Sequence, residues 1–261
     1  MLQFTAKPWD DGVAALKNVV TEAAKSGQHA VEKEERDTKK ADIAVRIEIG
    51  QADEVIKAES EKGYDLLVVG LDRATDANGA FSPIVNRIAR SFPSPIALVV
   101  GNGRLDRLVD AKGFRILVPV NGTEAARNGA EFAFALSPAK DSKVTALHVA
   151  NRRAADGGRQ LSSAAGNRNK RAVLLDVTEL GVRYGFPAIE TAAHTDIAPD
   201  AAILAEAKRI DADLIVIGAT RRVGEDLFLG ETVANVLQEW RGAIILVVMA
   251  RETAPQESAA A

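Results

Sequence analysis

The chain has 261 residues, 33 Lys and Arg against 36 Asp and Glu, a net charge of −3 and 47% hydrophobic residues. That balance excludes wholesale attraction to nucleic acid or an anionic membrane, while the length allows two domains, each with its own core. Cysteine is absent, which excludes disulfides, thiolate metal sites and cysteine nucleophiles and fits a reducing, cytoplasmic setting.

The N-terminus lacks the basic start and apolar centre of a signal peptide. Leu2–Ala6 reads as a strand and Asp11–Ser26 as a helix, followed by a charged run at 32–40 that reads as a solvated helix face. Ile43–Ile49 is a strand and Gln51–Lys62 a helix. Residues 65–70 (DLLVVG) and Ile96–Val100 are short apolar strands, separated by a polar loop and a helix. Residues 101–113 read as a linker.

The second half begins with Phe114–Val120 (FRILVPV), a continuous apolar run of the kind that a parallel strand buried on both faces requires. Asn121, Gly122 and Thr123 form a turn, and either Thr123 or Asn121 can cap the helix Glu124–Leu136. That helix gathers Ala126, Ala130, Ala133 and Phe134 on one side. Lys143–Ala150 is a strand. Residues 151–169, rich in Arg, Gly, Ser and Asn, read as a loop, with a helix over Lys170–Tyr184 and a strand over Ala188–His194. Asp200–Ile210 is a helix and Leu214–Gly218 a strand. A helix carrying Val233, Val236, Leu237 and Trp240 at i, i+3, i+4 and i+7 leads to the strand Ala243–Val248. The longest apolar runs fall far below the roughly 18–20 residues needed to span a bilayer.

The two halves repeat each other. Asp65, Leu66, Val68, Gly70 and Arg73 match Asp213, Leu214, Val216, Gly218 and Arg221 at one constant offset. Asn86 matches Asn235 after a one-residue shift, and Val99–Val100 match Val247–Val248. Strands alternating with helices imply crossovers and parallel pairing. The expected fold is therefore α/β, with tandem doubly wound parallel five-stranded sheets and a first copy lacking its opening strand and helix. Residues 1–103 form the incomplete first domain, 104–251 the complete second, and 252–261 a disordered tail. The missing strand leaves a gap, to be filled by rearrangement, by another chain or by residues upstream in a longer parent. The apolar fifth strands, Ile96–Val100 and Ile244–Val248, need cover, and are expected to pair with each other or with another chain.

The segments ILVPVNGTEAARNGAEFAFAL, VTALHVA and DADLIVIGATRR with LGETVANVL and AIILVV resemble the universal stress protein family throughout 114–249. A weaker resemblance extends to about 2–100 through the repeat. VPVNGTE together with IGATRRVGEDLFLG resembles the tandem stress-protein region at the cytosolic end of bacterial cation/proton antiporters. The first resemblance implies a Rossmann-type fold and an adenine-nucleotide pocket holding ATP or another adenine nucleotide. It also implies an Asp at the end of the first strand for the adenine edge, and a loop of pattern G-x2-G-x9-G-S/T for ribose and phosphates.

Carried onto this chain, the pocket comprises Pro119, Val120, Asn121, Gly122, His148, Val149, Gly218, Ala219, Arg221, Arg222, Gly230 and Thr232. The match is incomplete. Asn121 stands in the Asp position, Arg221 replaces the second glycine, Gly230 falls one place early and Glu231 takes the Ser/Thr place. Arg221 and Arg222 can offset Glu231 through charge-assisted hydrogen bonds. The bland alternatives are that the glycines are turn residues of the fold, that the arginines are solvated partners of Glu225 and Asp226, and that His148 and His194 are strand-end residues. No metal site is expected from three scattered histidines without cysteine, and no P-loop or G-x-S-x-G elbow is present. Together these readings point to a regulatory, non-catalytic module that binds a nucleotide, associates through its fifth strands and partners the membrane domain of an antiporter. The rival readings are a free-standing stress protein and a scaffold with a degenerate pocket.

Overall fold

The fold is seen in a computed structural model, which describes residues 2–3, 46–47, 66–71, 75, 81, 85–86, 92, 94–101, 113–136, 142–150, 163–186, 188–195, 197–220 and 230–249. The expected helices Asp11–Ser26 and Gln51–Lys62, residues 102–112 of the linker, the tail and the whole 221–229 segment lie outside the described residues. In chain order the elements are β1 (Leu2–Gln3), β2 (Arg46–Ile47), β3 (Leu67–Leu71), β4 (Ile96–Val100), β5 (Arg115–Val120), α1 (Glu124–Leu136), β6 (Lys143–Ala150), α2 (Ser163–Arg183), β7 (Glu190–Thr195), α3 (Pro199–Arg209), β8 (Leu214–Thr220), α4 (Glu231–Glu239) and β9 (Ala243–Met249).

The second half is the expected five-stranded unit. Its strands run in the order β9-β8-β5-β6-β7, all parallel. Helices cover both faces, so the inner strands are apolar at successive positions rather than at alternate ones. One face packs Ile116, Val118, Leu214 and Val216 against Ala130, Ala133 and Phe134 of α1 and Val173, Val177 and Leu180 of α2. The other packs Leu117, Ile215 and Ile217 against Ile203, Leu204 and Ala207 of α3 and Val233, Val236 and Leu237 of α4. The helical stripes expected from the sequence are the buried ones.

The tandem arrangement differs from two separate sheets. The described strands make one seven-stranded sheet, β3-β4-β9-β8-β5-β6-β7, and a separate parallel pair, β1-β2. The join is antiparallel, between the two fifth strands β4 and β9. Burial explains it: every residue of β4 is buried, and so are six of the seven in β9, so neither can be left as an edge. Leu98 faces Leu246, and the two occupy equivalent places in the repeat. The register therefore relates β3–β4 to β8–β9 by a local pseudo-two-fold between these leucines. Both units pair their fourth and fifth strands in the same register, Leu67 with Ile96 and Ile215 with Ile244. β1 approaches β3 within 8 Å, Cα to Cα, without joining its ladder. Leu66 is 40% exposed whereas its repeat mate Leu214 is 2% exposed.

One helix departs from expectation. α2 begins at Ser163, so the expected loop gives way to helix over 163–169. Alanine at 164 and 165 and the Arg and Lys that follow are adequate helix formers, and residues 167–169 are exposed, so no core-facing period marks this first turn and a half.

Candidate functional site at the carboxyl ends of β5 and β8

β5 lies between β6, reached through α1, and β8, reached from the far edge through α3. The winding reverses there, which makes the gap between the carboxyl ends of β5 and β8 the place where such sheets accept ligands. The hydrogen bonding opens that gap. β5 and β8 are laddered only at Ile116–Leu214 and Leu117–Ile215, whereas β5 and β6 are laddered along six residue pairs. At the opposite end the strands are clamped. Arg115 N–H donates to Asp213 Oδ2 at 2.9 Å, Asp213 N–H donates to the Arg115 carbonyl at 2.9 Å, and the Arg115 guanidinium reaches Asp213 and, at 2.8 Å, Asp211. Pinned below and unpaired above, the two strands are free to diverge toward their carboxyl ends.

Asn121 and Gly122 follow β5 into this gap. Asn121 Oδ1 accepts from Thr123 N–H at 3.1 Å and from the Thr123 hydroxyl at 2.7 Å, an Asx turn. Thr123 is then the helix cap: its Oγ1 accepts from Ala126 N–H at 3.3 Å, and its carbonyl accepts from Arg127 N–H. Gly122 has φ +84°, and a Cβ there would lie 2.9 Å from Val173 Cγ2, so the turn requires glycine twice over. Pro119 is half-buried and Val120 buried at the strand's end.

His148 ends up beside Val120 in the β5–β6 ladder and is 4% exposed. Its Nδ1 lies 3.0 Å from the Val120 carbonyl, which can only accept, so Nδ1 carries the proton. Val149 packs partly into the core. His194 belongs elsewhere. Its Nε2 lies 3.2 Å from Glu206 Oε2, and Arg209 grips the same carboxylate at 2.6 and 3.0 Å. Glu206 is 2% exposed, and the Arg209 hydrogen bonds hold its carboxyl below the usual range, against the effect of burial and with help from His194. His194 is thus a structural partner of a buried carboxylate, which matches the strand-end reading.

On the β8 side, Gly218 has a packing role of its own. A Cβ there would overlap the Ala125 carbonyl oxygen and lie 2.5 Å from its carbon, while a Cβ on Gly129 would lie 2.5 Å from Gly218 N. The two glycines let α1 and β8 touch backbone to backbone. Ala219 is buried in the core on the opposite face. Gly230, with φ +96°, precedes α4 and has open space around it. α4 starts from Gly230 with no side-chain cap, and Ala234 N–H donates to the Gly230 carbonyl at 3.2 Å, closing the first turn, which holds Thr232. Glu231 occupies that turn. Arg221 and Arg222 lie outside the described residues, as does His29.

The structure thus brings the β5, β6 and β8 ends and the start of α4 to one edge of the sheet. Sequence reasoning missed Gly129, whose need is visible only across the α1–β8 contact. It also missed Glu206, which counts as an ordinary solvated helix residue until its burial is seen. Asn235, picked out by the repeat, donates to Asp200 Oδ2 at 2.7 Å and fixes α4 against the start of α3. Among the described residues no group of three His, Asp or Glu forms a metal site, and no helix is long and apolar enough to cross a membrane.

The strand order and crevice define a doubly wound α/β protein. The universal stress protein family model matches residues 114–247, just over half of the chain, and the chain belongs to that family. Among solved structures, a universal stress protein from Archaeoglobus fulgidus DSM 4304 has a TM-score of 0.50 at 17% identity, covering 94% of this chain and 84% of that one. A family member from Burkholderia pseudomallei has a TM-score of 0.41 at 19% identity, covering 52% of this chain and 96% of that one. A universal stress protein in complex with cAMP has a TM-score of 0.41 at 19% identity, covering 51% of this chain and 96% of that one. No curated protein matches.

Proposed function

We propose that the second unit is a nucleotide sensor, binding an adenine nucleotide such as ATP in the crevice between β5 and β8 without turning it over. The observation that carries this reading is the β5–β8 ladder, which stops at Leu117–Ile215 beneath the winding reversal. The residues fit the ligand in two respects. The uncapped start of α4 offers backbone donors and a helix dipole to phosphate, with Gly230 leaving space beside them. Asn121, next to the ends of β5 and β6, offers a polar group to the base. Glu231 opposes an anion, and on this reading Arg221 and Arg222 offset it. The ligand shifts the population of arrangements of the two units.

In the cell the module is proposed to regulate a cation/proton antiporter from the cytosolic side, a reading supported by the VPVNGTE and IGATRRVGEDLFLG motifs. Isothermal titration of the whole chain with ATP and AMP tests the binding. One site per chain, with a dissociation constant of about 100 μM or tighter, supports the reading. No heat from either nucleotide leaves the scaffold reading. Unchanged nucleotide after hours of incubation separates a sensor from an enzyme. A nucleotide-dependent change in cation/proton exchange by membrane vesicles on adding the chain tests the antiporter role.

A further inference from the structure

We propose that a second copy of this chain docks on the outer face of α2, the two helices lying antiparallel across a two-fold axis at Leu175.

The face is the side of α2 turned away from the sheet. Val173, Val177 and Leu180 are buried in the core, and at about 100° per residue they fix the inward direction of the helix. Arg168, Arg171, Leu175, Glu179 and Val182 lie opposite, within about 40° of the Leu175 direction, and all five are exposed. A solvated helix face is ordinarily polar along such a line. Here it carries two of the four exposed large apolar side chains among the described residues, Leu175 at 55% and Val182 at 57%.

The order of charges along the line selects the occupant. The arginines come before Leu175 and the glutamate after it. When a second α2 is turned end over end about an axis through Leu175, each residue meets the one equally far on the other side. Leu175 meets its own copy, Arg171 meets Glu179, and Arg168 meets Val182. The angles agree as well. Arg171 and Glu179 lie to opposite sides of the Leu175 direction by equal amounts, and so do Arg168 and Val182, which is what a two-fold requires. Two ion pairs then flank an apolar contact, and the methylene stem of each Arg168 covers a Val182. A parallel pairing would set Arg171 against Arg171 and Glu179 against Glu179, and a partner of uniform charge would repel one half of the face. A few turns of one helix make a small interface, so the dimer is weak, with a dissociation constant on the order of 100 μM.

Sedimentation equilibrium of the full chain, from about 20 μM to about 1 mM, tests this. The unaltered chain associates to dimers over that range. Arg171→Glu and Glu179→Arg each set like charges across the axis at both contacts, and each weakens the dimer by about tenfold or more. Mixed in equal amounts, the two variants regain opposite charges at both contacts, and the mixed dimer recovers to within about threefold of the unaltered one. Each variant helix carries a single sign at 171 and 179, so this recovery can come only from contact between chains. Leu175→Glu, which puts two carboxylates face to face on the axis, also dissociates the dimer. A chain that is monomeric at about 1 mM overturns the inference, whether or not the variants fold. A dimer that Arg171→Glu and Leu175→Glu leave unchanged also overturns it, since it would lie on another surface, and so does a mixture that fails to recover.

Discussion

Replacing Gly218 with alanine separates the two roles open to this glycine. The added methyl would overlap the Ala125 carbonyl oxygen and sit 2.5 Å from the Ala125 carbon and 3.0 Å from Ala126 Cα. Those atoms are backbone, so no rotamer relieves the clash, and α1 has to retreat by about 1.5 Å to restore ordinary van der Waals separation. Retreat loosens Ala126, Ala130, Ala133 and Phe134, each at most 4% exposed. Overpacking of this kind costs about 1–3 kcal/mol, and a backbone clash belongs at the upper end. At about 2–4 °C per kcal/mol for a domain of this size, the melting temperature falls by roughly 6–12 °C. Thermal unfolding followed by circular dichroism measures it. Gly166→Ala is the control, since nothing lies within 4 Å of its Cβ position in α2, and it should gain about 0.5–1 kcal/mol. A Gly218→Ala protein that melts with the unaltered chain but loses nucleotide affinity would refute the packing argument. It would return Gly218 to the ligand.

Three further outcomes follow from the same coordinates. Glu206→Gln should cost about 1–2 kcal/mol at neutral pH, because the carboxylate holding Arg209 and His194 is lost. The Glu206 carboxyl is held below its ordinary range, so its stabilisation is present at neutral pH and disappears as pH falls through the folded-state value. Urea unfolding curves of the two proteins should therefore converge in strong acid, and a constant gap would count against the pairing. The Tyr184 hydroxyl, desolvated by burial and donating to Glu131 Oε1 at 2.8 Å, is pushed up to about 12. Its contribution is intact below about pH 10 and is lost as pH rises through about 12. Ultraviolet titration should show a late tyrosinate step that Tyr184→Phe removes, and a late step surviving in Tyr184→Phe would reject the assignment. Leu98→Glu and Leu246→Glu each bury a charge at the pseudo-two-fold axis. Each should lower stability by at least about 3 kcal/mol, and losses below 1 kcal/mol would mean the fifth strands do not meet there.

The second unit was legible because its physics is local and periodic. β5, β8 and β9 are largely apolar runs, and α4 repeats Val233, Val236 and Leu237 at helical spacing, so burial could be read directly. The β4–β9 join was legible for the same reason, since two apolar strands of equivalent sequence have no business at an edge. Which of the two covers applied, the sister strand or another chain, was left open, because an apolar edge shows the need for a partner and not its identity. The start of α2 was missed because its exposed polar turns carry no period. At the site, the strand ends were foreseen, but the polarity was not. That Asn121 gives only donors depends on Thr123 taking both lone pairs of Oδ1, and that Gly218 serves α1 depends on Gly129, 89 positions away in the chain.

The central claim is that a purine nucleotide sits where β5 and β8 part. Hydrogen–deuterium exchange on the full chain, with and without about 1 mM ATP, tests it by location. The account predicts slowed exchange at the amides of 121–123, at the end of β6, at 218–220 and at 230–233, with β3 and β4 unchanged. Exchange unaltered at all of these positions in the presence of ATP, or slowed only in the first unit, would contradict it.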